Sequence, residues 1–356
     1  MINIKVPGKL YIAGEYAVVE NGFPAVVTTI NRFINLSIKE SSEQHGTIFS
    51  KQYQDTPLSW IRDKNQVNLI NHTDSLDYVL SAIHVTEKFL IENHIQLKNF
   101  DLVIDSQLDN GDGKKYGLGS SAAVTVGVVK VLCAFYNFKI DRLTLFKLAA
   151  LAHYNIQGNG SLGDIAAIAY TGWIGYHSVN RDWLEKQNQK SLLPLIQQNW
   201  PDLKIETLTA PSDLKLLIGW TGIPASTSHL IKEVKAYHEA NYQDFILKSK
   251  DCVSKLIEGF KKQNLALIQK EINTNHHLLN NLGKLSGVEI ETPKLKRLIE
   301  IANNNGGSAK TSGAGGGDCG IAIFNKNDNY KNVIQEWKKN NIIPLQLSIY
   351  QEEILS

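Results

Sequence analysis

The segment Gly-Leu-Gly-Ser-Ser-Ala-Ala at residues 117–123 constrains the fold of this chain more than any other stretch. Two glycines one residue apart let the backbone turn tightly and approach a ligand closely. The small and apolar residues that follow, through Leu132, predict a buried helix that Ser120 or Ser121 could cap. The first amides of a helix lack internal partners and carry partial positive charge. The segment therefore predicts either a phosphate-binding helix start or a plain helix cap without a ligand.

Two other glycine-containing nucleotide loops fit the segment less well. The Walker loop requires lysine directly after its last glycine, whereas Ser120 follows Gly119 here. The dinucleotide fingerprint is satisfied in its looser form, with Ala122 in the place of the last glycine, but it should follow directly on an apolar strand. The polar segment 107–116 separates the glycines from the predicted strand 101–105. The sequence therefore does not favour a dinucleotide fold.

Length and composition favour a soluble protein of two domains. A chain of 356 residues is long for a single core, and we predict domains at 1–185 and 186–356, divided within the polar stretch 180–204. A net charge of +2 predicts no general attraction to nucleic acid or membrane. Three widely spaced cysteines predict neither a disulfide framework nor a metal site. Without an apolar signal core or a bilayer-length apolar run, we expect a cytoplasmic location.

Hydrophobic periodicity predicts strands and helices along the whole chain. The predicted strands are 2–6, 9–13, 26–30, 33–38, 47–53, 67–70, 101–105, 173–177, 214–220, 320–324 and 345–350. The predicted helices run from 74 or 75 to 93, from 122 to 136, over 141–153 and 165–169, as a set from 226 or 227 to 282, from 293 to about 303, and over 330–339. The pattern predicts an α+β sandwich in the second half.

Two further segments are rich in glycine. Gly-Asn-Gly-Ser-Leu-Gly-Asp stands at 158–164, and Ser-Gly-Ala-Gly-Gly-Gly-Asp stands at 312–318. Taken singly, the first could be a capped turn and the second a hinge before a strand. Glycine runs cost roughly 0.5–1 kcal/mol per residue relative to alanine, so a compensating contact is expected. Together with 117–123, the segments indicate backbone that converges on a ligand rich in anionic oxygens.

Three motifs, in this order and spacing, resemble those of the GHMP kinase superfamily, which includes galactokinase, homoserine kinase, mevalonate kinase and phosphomevalonate kinase. They are Pro-Gly-Lys-Leu with Gly-Glu-Tyr-Ala-Val within 7–18, the segment 117–123, and Lys-Thr-Ser-Gly-Ala-Gly-Gly-Gly-Asp at 310–318. The resemblance covers nearly the whole chain. It implies a two-domain α+β fold, with an N-terminal domain like domain 2 of ribosomal protein S5 and a C-terminal ferredoxin-like α/β sandwich.

Within the superfamily, segments 8–16, 115–116 and 219–227 resemble bacterial phosphomevalonate kinases. Mevalonate kinases usually carry histidine where Tyr16 stands, and a magnesium-binding glutamate where His153 stands. The resemblance implies transfer of the γ-phosphoryl of ATP to (R)-5-phosphomevalonate, with Mg²⁺ as cofactor. The alternatives are another GHMP small-molecule kinase, such as mevalonate kinase, and a nucleotide-binding module without catalysis. Neither nucleic acid nor membrane is an expected partner.

The resemblance also implies roles for individual residues. Lys9 would lie between the γ-phosphoryl and the acceptor phosphate, and Asp164 would face the acceptor; taken singly, they could be a surface lysine and a helix cap. The residues expected to bind ATP are Lys115, Gly117, Leu118, Gly119, Ser120, Ser121 and Ala122, with the Ser121 hydroxyl on Mg²⁺. The residues expected to bind the acceptor are Lys9, Glu15, Tyr16, Ser161, Ser226, Thr227, Ser312, Gly313 and Ala314.

The acceptor itself limits what Asp164 must do. A phosphate monoester has a second pKa near 6 and is mostly a dianion at pH 7, so it has no proton to lose. An alcohol acceptor would instead benefit from a general base. Our hypothesis is that Asp164 mainly orients Lys9 and the metal, with general base catalysis as the alternative.

Overall fold

Two sheets organise the chain in this computed structural model, which describes residues 1–52, 54–71, 73–108, 116–187, 191–223, 230, 234 and 239–353. The first sheet contains β1 (Ile2–Ala13), β2 (Pro24–Glu40), β3 (Gly46–Ser50), β4 (Leu58–Asp63), β5 (Gln66–Leu69), β6 (Phe100–Ser106), β7 (Trp173–His177) and β8 (Lys204–Leu208). Its strand order is β5-β4-β3-β6-β2-β7-β8, and β1 pairs with β2. All pairs in it are antiparallel except that of β3 with β6.

Helices cover this sheet. They are α1 (Asp77–Glu92), α2 (Ser120–Phe135), α3 (Arg142–Gln157), α4 (Gly163–Tyr170), α5 (Arg181–Glu185) and α6 (Leu193–Gln197). The predicted burial of α2 is confirmed, because valine, alanine and leucine side chains on most of its surface are buried. α2 packs against β1 and β2, and Gly127 allows the close approach, since a Cβ there would lie 2.6 Å from Leu36 Cδ1.

The second sheet has four antiparallel strands in the order β10-β11-β9-β12. The strands are β9 (Leu214–Trp220), β10 (Ser308–Thr311), β11 (Cys319–Asn325) and β12 (Ile343–Leu345). The helices of this half are α7 (Glu239–Lys261), α8 (Leu265–Ser286), α9 (Pro293–Asn304) and α10 (Tyr330–Lys339). The chain order β-α-β-β-α-β is that of ferredoxin-like folds, which confirms the predicted α+β class.

Several predicted elements are wrong in their bounds. The predicted break at Pro7 and the predicted turn at 31–32 lie inside two continuous strands, β1 and β2, which pair on both sides of Pro7 although the pairing skips residues 31–32. A shift of strand register between Pro7 and Gly8 accommodates the proline, which cannot donate a ladder hydrogen bond. Three short strands were not predicted: β4, β8 and β10. The polar stretch 180–204 leads into β8, which pairs with β7, so the first sheet ends after the proposed boundary at 185.

The segment after β12 returns to the first sheet and does not form the predicted strand 345–350. Tyr350 N donates to Thr29 O at 3.0 Å, and Asn31 N donates to Ser348 O at 2.9 Å. The Lys130 ammonium lies 2.6 Å from the Glu352 carboxylate. The segment therefore connects the C-terminal end of the chain to β2 through main-chain hydrogen bonds. β2 is the strand that pairs with the Lys9 region. Among the described ranges, no helix combines the length and apolarity needed to cross a bilayer.

Truncation after residue 346 tests this fastening. The truncated chain loses several main-chain hydrogen bonds to β2, so its free energy of unfolding should fall by about 2–5 kcal/mol in urea titrations. Glu352→Gln is the matched control, because its ion pair has side chains 30% and 42% exposed and should contribute less than about 1 kcal/mol. Equal stability of the truncated and full chains would show that the segment merely rests on the sheet.

Candidate active site

A cavity of about 300 Å³ lies where the three motifs meet. Its lining includes Lys9, Tyr11, Glu15, Tyr16, Gly117, Leu118, Gly119, Ser120, Ser121, His153, Ser161, Asp164, Ser312, Gly313, Ala314 and Asp318. The structure thus brings together every predicted site residue that it describes except Ala122, which is buried within α2. Residues Lys115, Ser226 and Thr227 lie outside the described part of the chain.

The glycine loop at 117–119 adopts a conformation that favours glycine. Gly117 and Gly119 have φ values of 75° and 80°. Gly119 is the N-cap of α2 and no side chain caps the helix, so the predicted capping by Ser120 or Ser121 is wrong. These two serines instead form the first residues of the helix and line the cavity. The first amides of α2 and both serines therefore face the space where an anion could bind.

Lys9 packs directly against this loop. Its main-chain N–H donates to Leu118 O at 2.9 Å, and its ammonium donates to Gly117 O at 3.1 Å. A Cβ on Gly119 would lie 2.6 Å from Lys9 Cε, so glycine leaves the room that the lysine side chain occupies. The lysine is therefore a part of the cavity wall rather than an isolated surface charge.

Asp164 lies in the first turn of α4 and also lines the cavity. The N-cap of α4 is Leu162, so Asp164 does not cap the helix, although its Oδ1 accepts from Ile165 N at 3.0 Å. Burial raises the pKa of Tyr11 above its usual range, and the Asp164 carboxylate raises it further. Burial lowers the pKa of His153, and the Asp164 carboxylate opposes this shift. The carboxylate therefore acts electrostatically on both side chains.

His153 occupies the position where the resemblance led us to expect a metal-binding glutamate in mevalonate kinases. Its side chain is buried, with Nε2 3.4 Å from Ser121 Oγ and the ring centroid 4.9 Å from that of Tyr78. Within the described part of the chain, Nδ1 is buried and has no hydrogen-bond partner. Because its pKa is lowered, the imidazole is neutral at pH 7.

The third motif is tied to the first by a buried ion pair. Lys310 is fully buried, and its ammonium lies 2.5 Å from Glu15 Oε1. Gly313 N donates to the same oxygen at 3.3 Å, and the Tyr16 hydroxyl donates to Ala314 O at 2.5 Å. Burial lowers the pKa of Lys310, and the Glu15 carboxylate opposes this shift. The contacts fix the third glycine loop against the end of β1.

A second cavity of about 260 Å³ adjoins the first and shares Ser120 and Ser121 with it. Most of its wall surface is apolar, from side chains that include Ile34, Tyr78, Val79, Ile104 and Val124, and it is also lined by the polar residues Ser50, Gln52, Asp74, Ser75 and Ser106. Such walls, next to a helix N-terminus, suit a flat ring attached to phosphate groups.

Both halves of the chain match models of one family. Residues 77–172 match the GHMP kinases N terminal domain, and residues 256–343 match the GHMP kinases C terminal model. A phosphomevalonate kinase from Streptomyces sp. strain CL190 is 33% identical, with 96% of this chain and 95% of that protein covered. The chain belongs to the GHMP kinase family. This membership confirms the predicted fold class and makes the chain an ATP-dependent kinase.

Two further relatives of this GHMP kinase differ in their acceptor. A mevalonate kinase from Methanocaldococcus jannaschii is 30% identical, with 95% of this chain and 96% of that protein covered. The Streptococcus pneumoniae phosphomevalonate kinase solved in complex with phosphomevalonate and AMPPNP is 31% identical, with a TM-score of 0.86, and 98% of this chain and 100% of that chain are covered.

The oxygen donors in the cavity fit a magnesium ion. Ser121 offers a hydroxyl and Asp164 a carboxylate, and both line the same space. The described residues contain no group of three or more His, Cys, Asp or Glu side chains that could hold a metal ion. Mg²⁺ commonly binds through one or two protein oxygens, substrate phosphates and water, so this sparse set suits an ion that arrives with the nucleotide.

The sequence did not single out two residues of this site. Tyr11 and Lys310 stand within or beside the quoted motifs, but a tyrosine in a strand and a lysine before a loop are ordinary in sequence. Only the fold shows that both contact predicted site residues. Their positions within or beside two of the three motifs were the sequence feature that could have identified them as site residues.

Breaking the Glu15–Lys310 pair should destabilise the enzyme strongly. Lys310→Met leaves a buried carboxylate without its cation, so the free energy of unfolding should fall by about 3–5 kcal/mol in urea titrations. Glu15→Gln should also destabilise, because it leaves the buried lysine unpaired. The double variant should recover much of the loss, since it contains neither buried charge. Losses that simply add would show that the two side chains act independently.

Proposed function

We propose that this GHMP kinase is a phosphomevalonate kinase, which transfers the γ-phosphoryl of ATP to (R)-5-phosphomevalonate and yields 5-diphosphomevalonate. The observation that carries the proposal is the likeness, along the whole chain, to the pneumococcal enzyme solved with phosphomevalonate and AMPPNP. Tyr16 supports the same acceptor, because mevalonate kinases usually carry histidine at this position.

In the proposed complex, the nucleotide spans both cavities. The adenosine part occupies the largely apolar second cavity, and the phosphates bind the amides of 117–121 at the N-terminus of α2. Lys115 and Ala122 keep their predicted roles in binding ATP. Ser121 and Asp164 would hold Mg²⁺, which when bound neutralises charge on the phosphate oxygens.

The transfer itself brings two anions together. Lys9 is fixed beside the glycine loop and supplies positive charge between the γ-phosphoryl and the acceptor phosphate. The acceptor phosphate is already a dianion at pH 7, so no residue has to remove a proton from it. Asp164 orients the Lys9 ammonium and the metal. Alignment and charge stabilisation therefore supply most of the catalysis.

The acceptor is held by groups from the first and third motifs and from the loop before α4. Glu15 Oε2 is buried and has no hydrogen-bond partner in the described ranges, so it is free to accept from the acceptor hydroxyl. Ser161 offers a hydroxyl to an acceptor oxygen. Ser312, Gly313 and Ala314 close this side, although Ser312 Oγ already donates to Tyr11 O at 2.8 Å. Ser226 and Thr227 remain predicted contacts.

A coupled assay of ADP release decides between acceptors. With ATP and Mg²⁺, we expect phosphomevalonate to be turned over with a kcat/KM at least about 100-fold above that of mevalonate, because with mevalonate the protein groups that bind the acceptor phosphate are left without a partner, which costs several kcal/mol. The likeness to the methanogen mevalonate kinase makes mevalonate the second candidate. A preference for mevalonate would refute the proposed acceptor and leave the kinase assignment intact.

Two variants separate the proposed roles of Lys9 and Asp164. Lys9→Ala should lower kcat by about 100- to 1,000-fold, because it removes charge stabilisation at the transferring group. Asp164→Asn should lower kcat less and leave the pH–rate profile of kcat without a new feature. Lys39→Ala, on an exposed lysine of β2, is the control. A far larger loss in the aspartate variant, with a wild-type rate that follows one carboxylate pKa, would favour general base catalysis.

A further inference from the structure

Tyr11 lies between two residues that the proposed function places on the acceptor. It follows Lys9 by two positions on β1, and its side chain is partly buried at the cavity wall. Its hydroxyl lies 2.9 Å from Ser161 Oγ, and the Lys9 ammonium lies 5.5 Å from its ring centroid. We propose that Tyr11 is a positioning residue that aims the Ser161 hydroxyl and the Lys9 ammonium at the acceptor phosphate, an inference that rests on the proposed function.

Hydrogen-bond capacity at Ser161 gives the hydroxyl of Tyr11 its role. A serine hydroxyl has one donor hydrogen and two acceptor lone pairs. Gly163 N already donates to Ser161 Oγ at 3.2 Å. When Tyr11 also donates to Ser161 Oγ, both lone pairs are taken, and the serine hydrogen is left to point at a third group. A dianionic phosphate can only accept hydrogen bonds, so its binding selects this arrangement over the reverse one.

The main chain at Ser161 is fixed as well. The Tyr176 hydroxyl donates to Ser161 O at 2.5 Å, which leaves the side chain as the adjustable part of the residue. The carboxylate of Asp164 and the burial of Tyr11 both keep the phenol protonated, because each raises its pKa. Tyr11 therefore remains available as a hydrogen-bond donor over the whole neutral range.

The ring of Tyr11 acts on Lys9 in a different way. An aromatic face attracts an ammonium ion without supplying a carboxylate that would neutralise it. The Lys9 ammonium has three N–H donors, and Gly117 O takes one of them at 3.1 Å. The ring supports the cation without adding a further negative charge to that of Asp164, and the positive charge is what stabilisation between two phosphates requires.

Close packing fixes Tyr11 itself. A Cβ on Gly163 would lie 2.5 Å from the Tyr11 hydroxyl oxygen, so the glycine makes room for the phenol. Ser312 Oγ donates to Tyr11 O at 2.8 Å, which ties the main chain of Tyr11 to the third glycine loop. The side chain is thus held from both sides before any ligand binds, which favours precise placement of its neighbours.

Two substitutions separate the hydroxyl from the ring. Tyr11→Phe removes only the hydroxyl and should raise the KM for phosphomevalonate about tenfold, with the KM for ATP unchanged and kcat within about threefold. Tyr11→Leu also removes the ring and should lower kcat by a further tenfold or so, because Lys9 loses its support. Isothermal titration of phosphomevalonate in the presence of AMPPNP should show the same tenfold weakening for Tyr11→Phe.

Ser161→Ala provides the coupling test. If Tyr11 acts through Ser161, the double variant Tyr11→Phe/Ser161→Ala should bind phosphomevalonate no worse than Ser161→Ala alone. Tyr154→Phe is the matched control, because it removes a hydroxyl that donates to Glu185 away from the cavity and should change neither KM nor kcat. Thermal unfolding of each variant shows whether a kinetic change follows a loss of stability.

The outcomes are distinct from those that test the acceptor. Unchanged kinetics in Tyr11→Phe, or equal rises in both KM values together with a lower melting temperature, would overturn the positioning role. If the wild type prefers mevalonate, which has no acceptor phosphate, the proposed acceptor fails and the role of Tyr11 toward that phosphate fails with it, whereas the Tyr11→Phe results above overturn the positioning role alone. A wild type that neither binds nor turns over either acceptor would overturn both proposals.

Discussion

The contact between Lys9 and the glycine loop is the constraint on which the site depends. In the proposed reaction two anions come together, and the Lys9 cation between them has to be held in place. Two hydrogen bonds to main-chain carbonyls, at Gly117 and Leu118, and the bare Cα of Gly119 achieve this. The shift of strand register between Pro7 and Gly8 lies immediately before Lys9, which is in register with Thr29 of β2 and donates its amide to Leu118 O. One residue of a paired strand thus also contacts the glycine loop.

The third glycine loop owes its composition to packing rather than to a hinge. A Cβ on Gly315 would lie 2.1 Å from Ile290 O, and one on Gly317 would lie 2.4 Å from Ile223 O. Both glycines also have positive φ values. The close packing that these glycines permit offsets the conformational entropy that a run of glycines loses on folding. Together with the buried pair of Glu15 and Lys310, these contacts hold the loop against the cavity, and Gly313 N, Ala314 O and Gly316 N have hydrogen-bond partners within the protein.

The sequence predicted the parts of this molecule that local chemistry determines. Strands β7 and β9 and helix α10 have the predicted bounds, because the two strands are short, mainly apolar runs and the helix has apolar residues at helical spacing. Sequence reasoning failed where a tertiary partner overrides a local signal. Pro7 looks like a strand end until β2 is seen to pair with both sides of it. Lys310 looks exposed until Glu15, 295 residues away, supplies its counter-charge.

The electrostatics at His153 accord with the proposed acceptor. Phosphomevalonate brings a dianionic phosphate and a carboxylate into a cavity that must also hold the phosphates of ATP. A glutamate at this position would add a further negative charge beside Ser121, and the repulsion would oppose binding of the second anion. Burial keeps the imidazole of His153 neutral, so the site retains a polar side chain without that charge. Mevalonate has no phosphate, so a site that binds mevalonate holds one fewer anionic group. Such a site can accommodate a glutamate at this position.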